Sequence, residues 1–74
     1  MDYKKIGPRI KYLRETQEKT QEALAKAAKV SQSYIARVES GEVTPSVRVL
    51  ERLAKVLGVS INDLMGGVTL DDYA

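Results

Sequence analysis

Gln32, Ser33, Ala36 and Arg37 recur at a spacing that places them on one arc of a helix, with Ile35 and Val38 on the opposite side. That arc presents an amide, a hydroxyl, a small apolar surface and a guanidinium. An amide offers a donor and an acceptor together, the pair that adenine N6 and N7 require, and a guanidinium forks onto guanine O6 and N7. Ser33 is permissive and by itself specifies little. Other chemistry lacks its parts. The chain has no His and no Cys, which excludes imidazole catalysis, thiolate metal sites and disulfides. Ser31, Ser33, Ser40, Ser46 and Ser60 have no imidazole to activate them, and no glycine-rich phosphate loop is present. The expectation is therefore no enzymatic activity, no cofactor and no metal. Asp63, Asp71 and Asp72 could meet a cation, but carboxylates so placed are ordinarily only solvated.

Such an arc works only if other elements hold it. It falls within residues 20–41, TQEALAKAAKVSQSYIARVESG, where two short helical patterns stand back to back. Thr20 opens the first, whose apolar stripe is Leu24, Ala25 and Ala28; Ser31 opens the second, which stops at Gly41. Isolated helices shorter than about 12–15 residues are marginal in water, so these two need a scaffold. The arrangement reads as a helix-turn-helix.

The rest of the chain supplies that scaffold as further helices, with no convincing strand. Ile6, Ile10 and Leu13 repeat at helical spacing and predict a first helix over 6–18. Pro8 suits only a first turn, so either Gly7 caps this helix or Asp2 caps a longer one. Thr44-Pro45 predicts an N-cap and N1 for a fourth helix, ended by Gly58. Its apolar residues, Val47, Val49, Leu50, Leu53, Ala54, Val56 and Leu57, cover about half the circumference, which implies contacts on two sides. Ser60-Ile-Asn-Asp63 resembles a capping box opening a short fifth helix. The fold class is all-α: a five-helix domain over residues 1–66, followed by a short acidic tail at 67–74.

At 74 residues there is room for one core, burying roughly 60% of the unfolded chain's surface. No apolar run is long enough to span a membrane and no signal-peptide core opens the chain, so the expected location is the cytoplasm. Charge is unevenly distributed. Residues 1–58 carry twelve Lys and Arg against seven Asp and Glu, whereas residues 59–74 carry three Asp and no basic residue. A basic body beside a helix-turn-helix pattern points to a polyanion as partner.

The segments IGPRIKYLRE at 6–15, TQEALAKAA at 20–28, VSQSYIARVESG at 30–41 and TPSVRVLERLAKVLGVSINDLM at 44–65, in this order and spacing, resemble the phage repressor/Cro-type helix-turn-helix proteins. The resemblance covers about 60 of the 74 residues. It implies a repressor-like domain that binds double-stranded operator DNA as a homodimer, its third helix (31–40) in the major groove of a palindromic site. It implies base reading by Gln32, Ser33 and Arg37, phosphate contacts from Gln21, Tyr34, Ser40 and Thr44, and an internal ion pair between Arg14 and Glu39 that fixes the third helix to the scaffold. Neither a small-molecule ligand nor a membrane enters that picture. Ser31 reads as an N-cap alone, and Tyr34 is equally explicable as packing.

The chain departs from the family's usual pattern in three places. Glu18 and Lys19 stand where a glycine and an apolar residue are usual, Lys29 where the turn normally has glycine, and Glu42 where many relatives carry a basic residue. A left-handed backbone at Lys29 would cost about 1–2 kcal/mol, and a carboxylate at Glu42 would weaken phosphate affinity. Glu42 and the acidic tail keep a second function open, an adaptor or antitoxin-type protein-interaction module with weak DNA binding. The apolar residues after the fourth helix, Val59, Ile61, Leu64, Met65, Val68, Leu70 and Tyr73, exceed what a short fifth helix can bury, so Ile61, Leu64 and Met65 are expected at a dimer interface.

Overall fold

The computed structural model describes residues 5–65 as five helices: α1 (Ile6–Thr16), α2 (Gln21–Ala28), α3 (Gln32–Ser40), α4 (Val47–Leu57) and α5 (Ile61–Met65). Asp2 and the tail from Gly66 onward, with Val68, Leu70 and Tyr73, lie outside the described residues.

Hydroxyl caps begin four of the five helices. The Thr20, Ser31, Ser46 and Ser60 side-chain oxygens accept from the backbone N–H of Ala23, Tyr34, Val49 and Asp63 at 3.0–3.2 Å, each satisfying a first-turn donor that has no partner within the helix. For α4 this corrects the expected Thr44-Pro45 start. Ser46 is the cap, and Pro45 is buried just ahead of it. Only α1 lacks a side-chain cap. Lys5 precedes it, and Gly7 lies inside the helix and is buried.

α1 ends at Thr16, two residues earlier than its periodicity suggests, because Glu18 turns the chain with φ +56°. The loop that follows is well tied. Gln17 donates its side-chain amide to the Leu57 carbonyl at 2.7 Å, at the end of α4. Arg14 Nη1 donates to the Lys19 carbonyl at 2.8 Å. The missing apolar anchor at Lys19 is thus replaced by polar bonds that tie the loop to α1 and α4.

Lys29 adopts φ +61°, ψ +42° at the end of α2, so the turn keeps the family's backbone shape despite carrying a side chain there. Among the described residues, two that are not glycine, Glu18 and Lys29, therefore sit in the left-handed region. Relief of about 1–2 kcal/mol, less the about 0.4–1 kcal/mol that glycine costs through the unfolded chain, leaves a gain near 0.5–1 kcal/mol for Lys29→Gly and the same for Glu18→Gly. Urea titration is expected to show both midpoints rise; a fall at either would mean that the side chain supplies compensating contacts.

The core gathers Ile6 and Ile10 of α1, Leu24, Ala25 and Ala28 of α2, Ile35 and Val38 of α3, Leu50, Leu53, Ala54 and Leu57 of α4, and Leu64 and Met65 of α5. The broad apolar arc of α4 packs against α2 on one side and α5 on the other. Leu64 and Met65 are fully buried within this single copy, which corrects their expected place at an interface. Their side chains close the core over α1 and α4 and have no surface left for a second chain. Ile61 is only half-buried and keeps an open side.

Candidate nucleic-acid interface

Gln32, Ser33, Arg37 and Ser40 are exposed along the outer side of α3, with Ala36 half-buried between them. Ser31 terminates the backbone ahead of α3 in an extended conformation and caps it through Tyr34 N–H, so Gln32 is the first helical residue. Ser33 Oγ lies 3.5 Å from Ser31 Oγ. Arg37 forms no ion pair among the described residues, which leaves its guanidinium fork available. Tyr34 is half-buried against the core, and that burial raises the pKa of its phenol.

The carbonyl of Arg37 is the peg on which the next loop hangs. It accepts from Glu42 N–H at 2.9 Å, Val43 N–H at 3.3 Å and Ser40 Oγ at 3.0 Å. Gly41, at φ +85°, makes the reversal possible. Ser40 thus turns its hydroxyl back onto its own helix, while Glu42 and Thr44 stay exposed on the loop.

On its inner side α3 is anchored by charge. Glu39 is buried, and its carboxylate accepts from Arg14 Nε at 2.7 Å, Arg14 Nη2 at 3.1 Å and Gln21 Nε2 at 3.0 Å. The paired geometry with Arg14 is bidentate, the strong form of such a bond. The hydrogen bond to Glu39 raises the pKa of the Arg14 guanidinium against the opposing effect of burial. One carboxylate therefore joins α1, the first residue of α2 and the last turn of α3.

Gln21 is consequently occupied on one side. One Nε2 hydrogen goes to Glu39, and its free Oε1 is an acceptor that a phosphate cannot use. Any phosphate held at the start of α2 meets the remaining Nε2 hydrogen and the unpartnered first-turn backbone N–H groups at the positive end of the helix dipole.

Gly7 was missed as a determinant of this site, its sequence context suggesting a cap. It lies in α1 where a Cβ would collide with the Val38 carbonyl oxygen and come within 2.9 Å of that of Glu39. The last turn of α3 rests directly on the backbone of α1. One signal was present, since Gly7 precedes Arg14 by seven residues and so shares its face of the helix.

The helix-turn-helix family model matches residues 10–64, which contain this whole arrangement. The chain belongs to the Cro/C1-type helix-turn-helix family. It is similar to the immunity repressor protein of Bacillus phage phi105, 38% identical over 65 residues that are 88% of this chain and 45% of that protein. It is also similar to the ImmF control region 10 kDa protein of the same phage, 34% identical over 64 residues, 86% of this chain and 71% of the other. Among solved structures, the restriction-modification controller protein C.AhdI of Aeromonas hydrophila superposes with a TM-score of 0.79 at 32% identity, covering 81% of this chain and 91% of that one. The chain spans less than half the length of the immunity repressor. The family is one of DNA-binding transcriptional regulators. No helix among the described residues is long and apolar enough to cross a membrane.

Proposed function

We propose that the chain is a sequence-specific DNA-binding regulator of transcription, acting as a repressor, that lays α3 in the major groove of a palindromic operator. One observation carries this reading: an outer face of α3 with Gln32, Ser33 and Arg37 exposed, Gln32 and Arg37 without a side-chain partner among the described residues, on a helix whose inner face is fixed by Glu39 and Arg14. A rigid helix with free polar ends is what direct readout of base edges needs. Gln32 reads adenine and Arg37 reads guanine. Phosphates meet the start of α2 at Gln21, the Tyr34 hydroxyl, and the loop bearing Ser40 and Thr44. Because Ser40 Oγ is bonded to its own helix, its share is the weakest.

Arg37→Ala tests the assignment. On the best operator it is expected to cost about 1–3 kcal/mol and to relax preference at one base pair, whereas a Gln21 substitution weakens all sequences alike. Unchanged affinity and unchanged preference in Arg37→Ala would refute base reading by this face. In salt titrations log affinity is expected to fall with a slope of about −0.9 per phosphate neutralised. A flat line would favour the adaptor or antitoxin-type alternative, which the exposed Glu42 beside the site supports.

A second copy belongs to the proposal, since one such domain reads too few base pairs for a unique address and paired half-sites lie about 34–36 Å apart. With Leu64 and Met65 buried in the monomer, the contact falls on the half-buried Val59 and Ile61. Sedimentation at micromolar concentration on a palindromic duplex is expected to give two chains per site, and Ile61→Asp one, with helicity unchanged. A wild-type chain that stays monomeric both free and on the duplex excludes the dimer.

A further inference from the structure

A second basic surface lies away from the outward face of α3. Between the end of α2 and the exposed side of α4 runs a groove of about 370 Å³, lined by Ala27, Lys29, Arg52, Lys55 and Val56. Its volume falls at the small end of the range for binding clefts, about 300–1,000 Å³. Arg52 and Lys55 stand at i and i+3, so they project from the same side of α4. Lys29 faces them from the left-handed end of α2, where the backbone holds it outside the helix. None of these three cations forms an ion pair among the described residues. The half-buried Val56 and the exposed Ala27 provide apolar surface among them.

α2 packs against both α3 and α4, and the groove opens on its α4 side. Arg52 and Lys55 lie about 8 and 12 Å along α4 from its first residue, at 1.5 Å per residue. They are thus one to two turns past the loop that borders the recognition helix.

We propose that this groove docks an acidic segment of a partner protein, with carboxylates on Lys29, Arg52 and Lys55 and a small apolar side chain on Ala27 and Val56. Three cations with no ion pair among the described residues, set around an apolar patch, match a chain that mixes both characters. A DNA backbone offers phosphates but, between them, only sugar edges in place of an aliphatic side chain for Val56. The chain would then carry two separate surfaces, so that the same domain could hold DNA and a protein at once.

The test uses the full chain, isotopically labelled, and an eight-residue peptide alternating aspartate with alanine and valine. A peptide with lysine in place of aspartate and a polyaspartate peptide are the controls. Amide shifts are expected at Ala27, Lys29, Arg52, Lys55 and Val56 while Gln32 and Arg37 stay unmoved. The Arg52→Ala/Lys55→Ala variant is expected to bind the mixed peptide at least fivefold more weakly and operator DNA unchanged. Both positions are exposed, so folding is retained, and the amide spectrum verifies it. Equal binding of the polyaspartate peptide, shifts centred on α3, displacement of the peptide by duplex DNA, or unchanged affinity in the double variant would each overturn the proposal. So would groove shifts produced by Asp71→Asn/Asp72→Asn alone, which would make the chain's own acidic residues the occupant.

Discussion

Glu39→Ala is expected to lower the free energy of unfolding by about 3–5 kcal/mol, the usual loss when one partner of a buried ion pair is removed. A domain of this size has only about 4–11 kcal/mol in total, at about 0.05–0.15 kcal/mol per residue, so the variant sits at the edge of folding. The size of the loss follows from what is left behind. Arg14 keeps its charge, buried at 9% exposure, with only the Lys19 carbonyl and the distant Glu15 nearby, and Gln21 loses its acceptor. The pair itself contributes much less than this figure. Replacing both partners, Arg14→Met with Glu39→Leu, removes the stranded charge and is expected to be milder than Glu39→Ala alone. Urea denaturation followed by circular dichroism measures Glu39→Ala, the double variant and its two single components, Arg14→Met and Glu39→Leu. If the double variant costs the sum of the singles, the two residues act independently and the hub account fails.

The second large effect inverts an ordinary rule. Inside a helix, glycine to alanine generally gains about 0.5–1 kcal/mol. At Gly7 the new methyl group would meet the Val38 and Glu39 carbonyls, which are backbone and cannot swing aside. Gly7→Ala is therefore expected to lose about 3 kcal/mol, the upper part of the range for overpacking. Relief comes only by pushing α3 outward, so operator affinity is expected to fall as well. Pro8→Ala, at the neighbouring exposed position, is the control and should change neither. A stabilised Gly7→Ala protein would mean that α1 and α3 stand further apart than described.

What the sequence disclosed, it disclosed through local physics. Thr20, Ser31, Gly41 and Gly58 mark helix ends by their own bonds and dihedrals, so α2, α3 and the end of α4 were legible. The start of α4 was not, because Thr44 and Ser46 are both competent caps and Pro45 suits either register. The bond from Val49 N–H to Ser46 Oγ identifies the cap, and with it Pro45 is buried ahead of the helix, which no local pattern announces. The exposure of Gln32, Ser33 and Arg37 on the outer side of α3 followed from periodicity alone. Gln21 was legible as the first residue of α2, but its bond to Glu39 depends on where α3 comes to lie. Leu64 and Met65 illustrate the same limit from the other side. Counting apolar residues near a short helix cannot tell a monomer's core from a dimer's, since the difference lies in how α5 meets α1 and α4.

That meeting has a consequence in time. α5 packs against α1, and Arg9 donates to the Asp63 carbonyl across 54 residues of sequence. Gln17 reaches Leu57 across 40. A growing chain that has emitted α1 through α3 has both helices of the helix-turn-helix, but the core of Ile6 and Ile10 still lacks Leu64 and Met65. At about 5–20 residues per second of synthesis, the chain from Ser40 to Met65 takes one to several seconds, on the order of 1–5 s. During that interval the apolar side of α1 is still open to water, and the core closes only when the last helix arrives.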